Sequence, residues 1–330
     1  IKRLVGLPNE QIRIHYGNLF TRTDDKSEFR VATKSPEKQK VMRMLVYDNN
    51  HQAKSTKARG WPARWRPETD DTWKESDDGH SFQSVRGQGD PEDWARLTYH
   101  HLGRIWGDAD AGKLPPREQL ITDFYAYNAG MSGSRYRDSE PQPHWVGDLN
   151  LTVKADVVET KGMLRLELVQ AGTRFVCEFD LVAGTSRLLR IAAGGAQEEV
   201  LDIATNAIRR RGRYSISFAN FDERLTVWLD DRLLFGDGHD YQGPKLGEPQ
   251  RPTAADLSPA SVAVRGMSVR VSDLVLYRDI YYTHGAVGGS RAEYYGFYAN
   301  NLDELLGTPS MWGPIETAAM SEFAQLGPDD

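Results

Sequence analysis

The chain has 330 residues, 39% of them hydrophobic, enough for one large core or two or three smaller ones. With 41 Lys plus Arg against 47 Asp plus Glu, the net charge of -6 gives no basic footprint, so no nucleic-acid partner is expected. The single cysteine excludes an intrachain disulfide framework, and no run approaches the ~18 consecutive apolar residues of a spanning helix.

The chain opens IKRLVGLPNEQIRIHYGNLFTR, which reads as strand, turn, strand. Pro8-Asn9 makes the turn, and Ile12 and Ile14 alternate with polar neighbours before Gly17-Asn18 turns again. In SPEKQKVMRM, Ser35 as N-cap, Pro36 at the first helical position and Glu37 in the first turn predict a short helix. MLVYDNN then reads as a strand opening a new domain. Residues 49–90 form a long polar segment with three tryptophans among many charges, expected to be a loop and the first place a protease cuts.

From WARLTYHHL onward the chain is a series of strands with period-two alternation, separated by turns such as Lys161-Gly162 and Ala171-Gly172. RYSISFANF and RLTVWLDDRLLF give the sharpest hairpin signals, with Leu225, Val227 and Leu229 on one face and Asp230-Asp231 turning tightly. ASVAVRGMSVRVSDLVLYRDIYYT closes the series, alternating at Val269 and Val271 and then at Leu274 and Leu276. The expected fold is mainly β, an antiparallel β-sandwich or jelly roll. Three units are expected: residues 1–40 as a hairpin with a short helix, 41–284 as the sandwich, and 285–330 as a return segment.

Lys2, Arg3, Gly6, Leu7, Pro8, Asn9 and Glu10 resemble the K-R-x-x-G-L-P-G-[DE] box of bacterial type I signal peptidases. Asn9 stands where that family usually has Gly. The resemblance implies that Lys2 is the general base of a Ser/Lys dyad, with Arg3 supporting it and the nucleophilic serine absent from this chain. A desolvated lysine suits that task, because burial lowers its pKa. The order GRYSISFANFDERLTVWLDDRLLF followed by VRVSDLVLYRD resembles concanavalin A-like and laminin G-like sandwiches. Together these imply a large sandwich inserted in a fragment of the signal peptidase β-fold, inactive alone, cut from a parent that removes signal peptides from exported preproteins. On that reading the fragment is soluble and extracytoplasmic, its parent is held in the cytoplasmic membrane by a missing N-terminal anchor, and the two ends of the fragment lie close together.

Several constellations were candidates for chemistry. Glu178 and Asp180 share a strand face, but that face reads as the solvent side, opposite Phe175, Cys177, Phe179 and Leu181, and the E-x-D-x-x-E glycosidase signature is missing because Ala183 takes its third position. Cys177 reads as a core thiol. Asp237, His239 and Asp240 lie in a glycine-rich stretch where oxygens converge on a cation, or where the chain simply turns. His100 and His101 point to opposite faces and do not share a metal, one being expected buried and the other exposed. Trp61 and Trp65, among Arg59, Arg64 and Arg66, suggest a platform for a sugar or peptide, or a loop pinned by its aromatics. Asn150 begins a glycosylation sequon on a strand, with no function assigned. No cofactor and no metal are expected. The alternative to the peptidase is a binding module, in which the sandwich recognises a carbohydrate or a protein segment without catalysis, or serves only as a spacer.

Overall fold

A computed structural model describes residues 7–24, 26–53, 58, 60–85, 93–103, 116–124, 143–195, 197–205, 208–245, 248, 250–282, 302–312 and 324–325. Its strands are Gln11–His15 (β1), Asn18–Arg22 (β2), Arg30–Val31 (β3), Met44–Asp48 (β4), Trp65–Pro67 (β5), Trp73–Glu75 (β6), Ser81–Ser84 (β7), Ala95–Tyr99 (β8), Leu102–Gly103 (β9), Arg117–Glu118 (β10), Thr122–Asp123 (β11) and His144–Trp145 (β12). They continue as Leu149–Val157 (β13), Met163–Gln170 (β14), Thr173–Asp180 (β15), Thr185–Ile191 (β16), Glu198–Thr205 (β17), Gly212–Phe221 (β18), Arg224–Leu229 (β19), Arg232–Leu233 (β20), His239–Asp240 (β21), Ala260–Arg265 (β22), Val269–Arg278 (β23) and Ala324–Gln325 (β24). The α-helices are Pro36–Met42 (α1) and Leu302–Gly307 (α2).

Two antiparallel sheets face each other. One runs β20-β19-β18-β13-β23-β7-β6, with β21 on β19 and β4 on β23; the other runs β17-β16-β15-β14-β22-β8-β5. The alternation seen in the sequence is what closes them. Leu164, Leu166 and Leu168 of β14 and Phe175, Cys177 and Phe179 of β15 turn inward to meet Leu151 and Val153 of β13, Phe218 of β18 and Val227 of β19. Each such side chain contributes about 1.5–3 kcal/mol by leaving water, and non-local packing of this kind holds the sandwich together.

Three hairpins use tight turns with both central residues at positive φ: Ala171 and Gly172, Asp222 and Glu223, Asp230 and Asp231. That backbone matches the right-handed twist of the strands it joins. The break in alternation between Val271 and Leu274 is a β-bulge, where Asp273 sits at φ 51 and the register of β13 against β23 shifts between Thr152 and Lys154. One extra residue re-aims the rest of β23, so both of its halves face the core.

Residues 49–90 are not the expected loop. Trp65, Trp73 and Phe82 are core side chains at 2%, 4% and 4% exposure, and β5, β6 and β7 extend both sheets. Among the described residues, the segment is thus part of the sandwich. Glu178 also departs from expectation: it is fully buried at 0% and held between Arg165 (Nε to Oε2, 2.7 Å) and Arg187 (Nε to Oε1, 2.8 Å) from the neighbouring strands. Asp180 does lie at the surface edge, where its carboxylate accepts the Val182 and Ala183 backbone N–H groups.

A four-stranded sheet β24-β1-β2-β3 lies beside the sandwich, and Gln11 pairs with Gln325 across it, so the segment around β1 meets the segment at residues 324–325 as expected. The helix α1 forms as predicted, with Ser35 accepting from the Lys38 N–H. It lies on the outside of the larger sheet: Lys40 reaches Asp231 (2.9 Å) and sits over the Trp228 ring, and Arg43 covers the Tyr277 ring and donates to Asn150 (2.7 Å). Among the described residues no helix is long and apolar enough to cross a membrane.

Candidate functional site

The turn Asp222-Glu223 between β18 and β19 points its two carboxylates in different directions. Asp222 is buried, facing Asp148 before β13 and Asp279 after β23; one oxygen from each of the three lies within 4.8 Å of the others. Three carboxylates so placed resemble a metal cage. The cation they hold is Lys34, whose ammonium lies 2.7 Å from both Asp222 and Asp279 and whose backbone N–H also donates to Asp222 (3.0 Å). Burial opposes the charge on Lys34, yet Asp279 and Asp222 outweigh it and hold its pKa above the usual range. Burial, reinforced by Asp279 and Asp222, raises Asp148 to about 8. Asp279 is raised to about 6, chiefly by burial.

Asp148 connects this cluster to an open cleft. Its Oδ1 accepts from Gln170 Nε2 (2.6 Å) and its Oδ2 from the Asp222 N–H (2.9 Å). Gln170 Oε1 in turn accepts from Asn220 Nδ2 (2.9 Å), and the Tyr241 hydroxyl donates to Asn220 Oδ1 (2.9 Å). Tyr241 is fixed at its other side by Phe175, ring centroids 4.6 Å apart. Above this network lies a cleft of about 270 Å³, walled by Asn18, Gln170, Arg190, Glu223, Tyr241 and Gln242. Glu223 accepts the Gly243 N–H, and burial raises its pKa. Arg190 is tethered by Glu199 at 2.8 Å. A recess lined by Asp148, Trp145 and Tyr281 adjoins it through Asn18, Gln170 and Gln250.

The residues singled out in the sequence lie elsewhere. Lys2 and Arg3 are outside the described residues. Trp65 is in the core against Tyr99, ring centroids 5.4 Å apart, and Trp61 is only half-buried, so the two do not form one exposed platform. Asp240 pairs with Arg224 across the β19–β21 contact, Oδ2 to Nη2 2.8 Å, while Asp237 is exposed; neither belongs to the carboxylate cluster. His101 hydrogen-bonds the Tyr99 hydroxyl (3.0 Å), and burial beside the Arg64 charge lowers it to about 3. His100 is half-buried on Ser258 (3.0 Å) and Glu118 (2.9 Å), rather than exposed. Cys177 is a core thiol, raised by burial. Asn150 is 1% exposed and donates to Ser217, which leaves its amide out of reach of a glycosylating enzyme.

Sequence spacing carried no signal for the cleft, whose walls are drawn from residue 18 to residue 250. The one local hint is Asp-Glu at the tip of the FDER hairpin, two acids where an Asn-Gly would serve the turn alone.

No family model matches the chain. No curated protein matches it. Among solved structures it is similar to the carbohydrate-binding module CBM66 from Bacillus subtilis, at 11% identity over 65% of this chain and 95% of that one, with a TM-score of 0.38. It is also similar to a Bacillus subtilis protein of unknown function with a galectin-like fold (11% identity, 73% of this chain and 100% of that one, TM-score 0.40) and to the Caenorhabditis elegans galectin LEC-6 (9%, 42% and 84%, 0.28). All three TM-scores are below 0.5, so the sandwich is established by this chain's own sheets. The peptidase reading is corrected here. These similar structures are of carbohydrate-binding and galectin type and no family model, a peptidase's included, matches; the Ser/Lys enzyme, the host peptidase fold and the signal-peptide partner fall with it.

Proposed function

We propose that the chain is a carbohydrate-binding β-sandwich without catalysis, and that a small sugar occupies the cleft over Gln170 and Tyr241. The observation that carries this reading is the chemistry of the cleft wall. Amide side chains of Asn18 and Gln242 offer donors and acceptors together, as sugar hydroxyls require, Gln170 keeps one amide N–H beyond its bond to Asp148, and Glu223 and Arg190 add one charged acceptor and one charged donor. The Tyr241 ring supplies an apolar face, already fixed by Phe175 and Asn220, so little ordering is left for the ligand to impose. The volume of about 270 Å³ is near the lower end of small-ligand sites. One of the structures the chain is similar to is named for carbohydrate binding; the present reading rests on the cleft.

The test is calorimetric titration against a panel of mono- and oligosaccharides, with Glu223→Gly and Gln242→Ala compared with the parent chain. Glycine tolerates the positive φ of residue 223 and removes the side chain with its carboxylate. Loss of a charged hydrogen bond predicts weakening by about tenfold or more for Glu223→Gly. Equal affinity in all three proteins, or no sugar bound by any, would overturn the assignment.

A further inference from the structure

The charges around the cleft do not balance. Its wall holds one acidic and one basic side chain, Glu223 and Arg190. Arg190 turns both Nε and Nη2 to Glu199 on the neighbouring strand β17, each at 2.8 Å, so its charge is already met. Glu223 has no such partner. Its Oε2 accepts the Gly243 N–H at 3.2 Å, a neutral donor, and no lysine, arginine or histidine among the described residues forms an ion pair with it. Burial, and then the adjacent Asp222 charge, raise its proton affinity, and only the Gly243 N–H opposes them. Beneath the floor, three aspartates gather about one ammonium, that of Lys34. The unmet charge at the cleft is therefore negative, and it sits on Glu223.

That carboxylate is built into the wall. A Cβ added to Gly243 would overlap the Glu223 carboxyl group, so the group lies against a residue that leaves room for it by having no side chain. The backbone ties the same two segments, since the Tyr241 N–H donates to the Glu223 carbonyl at 3.0 Å. A half-buried carboxylate held in place without a counter-charge, at the edge of a cavity of about 270 Å³, is suited to a cationic group on a small ligand.

We propose that the sugar this cleft prefers is a basic amino sugar, a hexosamine with its amine free, whose ammonium pairs with Glu223 while its hydroxyls meet the amides of Asn18 and Gln242. The proposal rests on the reading of the cleft as a sugar site and narrows it. A hydroxyl gives the carboxylate one hydrogen bond from a neutral donor; an ammonium in the same place adds the missing opposite charge and bonds more strongly. N-acetylation removes that charge. A uronic acid would bring a second carboxylate to one that is already unpaired, which is unfavourable for both.

The experiment is calorimetric titration of the whole chain at about pH 6.5, below the ~7.7 of an ordinary α-amino group, so that the amine is mostly protonated. The titrants are methyl glycosides of glucosamine, N-acetylglucosamine, glucose and glucuronic acid, their galacto counterparts, and n-butylammonium as a cation without a sugar. In at least one series the free amine is expected to bind about tenfold more tightly than the neutral hexose, with the N-acetyl and uronic forms weaker than the amine. Added salt should weaken the amine and leave the neutral hexose unchanged. Glu223→Gln keeps the shape and an acceptor oxygen but removes the charge, so in this variant the amine should fall to the level of the hexose. Neutral hexose bound as tightly as the amine, a preference that survives Glu223→Gln or is indifferent to salt, or n-butylammonium bound as tightly as the amino sugar would overturn the proposal. Hexoses bound without preference for the amine would sink this inference and leave the sugar site standing; no sugar bound in either series would sink both.

Discussion

The ammonium of Lys34 lies 2.7 Å from carboxylate oxygens of Asp222 and Asp279, residues 188 and 245 positions further along the chain. One amine thus ties the segment ahead of α1 to the end of β18 and the end of β23, beneath the cleft. Thr33 adds to the tie by donating its hydroxyl to the Asp222 carbonyl (3.2 Å).

Replacing Lys34 should therefore cost far more than a surface lysine would. In Lys34→Met the cluster loses the ammonium that bonds Asp222 and Asp279, and breaking a buried pair from one side costs about 3–5 kcal/mol. Urea unfolding would show the loss as a lower midpoint, and adding Asp222→Asn to Lys34→Met should recover part of it. A single variant within about 1 kcal/mol of the parent, the range of an exposed pair, would mean that the cluster is hydrated.

Asp148 makes stability depend on pH in an identifiable direction. Its folded pKa is raised to about 8 from 3.8, so between those values the folded chain keeps a proton that the unfolded chain releases. This contribution is fully present below pH 4, declines as pH rises through about 8, and then levels off. Asp279, raised to about 6, acts with the same sign up to that pH. Asp148→Asn should flatten the decline, gaining on the parent by on the order of a few kcal/mol between pH 4 and pH 8. Thermal melts of both proteins across that range check it; parallel curves would refute the assignment.

Glu178→Leu should destabilise the sandwich although it replaces a charged residue with an apolar one of similar size. Arg165, 5% exposed at its side chain, keeps Glu198 at 2.8 Å and the Trp94 ring beneath its guanidinium, and Arg187 loses both of its contacts to Glu178. A loss of about 3 kcal/mol is expected from stranding the buried guanidinium. Chemical denaturation reads it directly, and no change would restore the view of Glu178 as one of a solvated strand face.

Much of the sandwich was legible because its long strands repeat one simple instruction. Leu164, Leu166 and Leu168, or Leu225, Val227 and Leu229, must all face one way, and only a strand with a buried side satisfies them. Even the bulge at Asp273 left its mark, as a slip of one residue in the alternation. The strands from Trp65 to Ser84 left none, since each has three or four residues and its aromatic anchor stands alone among charges. β6 pairs with its neighbour β7, but β5 and β7 are joined to the two sheets by β8 and β23 further along the chain, so a local window contains no trace of the contacts that place them in the sandwich.

The strand faces, the tight hairpins and the α1 cap were determined by the sequence itself, because side-chain alternation, turn backbone and capping are decided among near neighbours. The KR-x-x-GLP stretch shows the limit of that locality: a good turn sequence carries no information about what lies opposite it. The tertiary structure alone decided the site. It brought Asn18 of β2, Gln170 of β14, Glu223 of a hairpin tip and Tyr241 beyond β21 to one cleft, and set Lys34 among three aspartates. Such groups interact through distances of a few ångströms that only the folded chain sets: burial raises the pKa of Asp148, and Asp279 and Asp222 beside Lys34 raise its pKa against the opposing effect of burial.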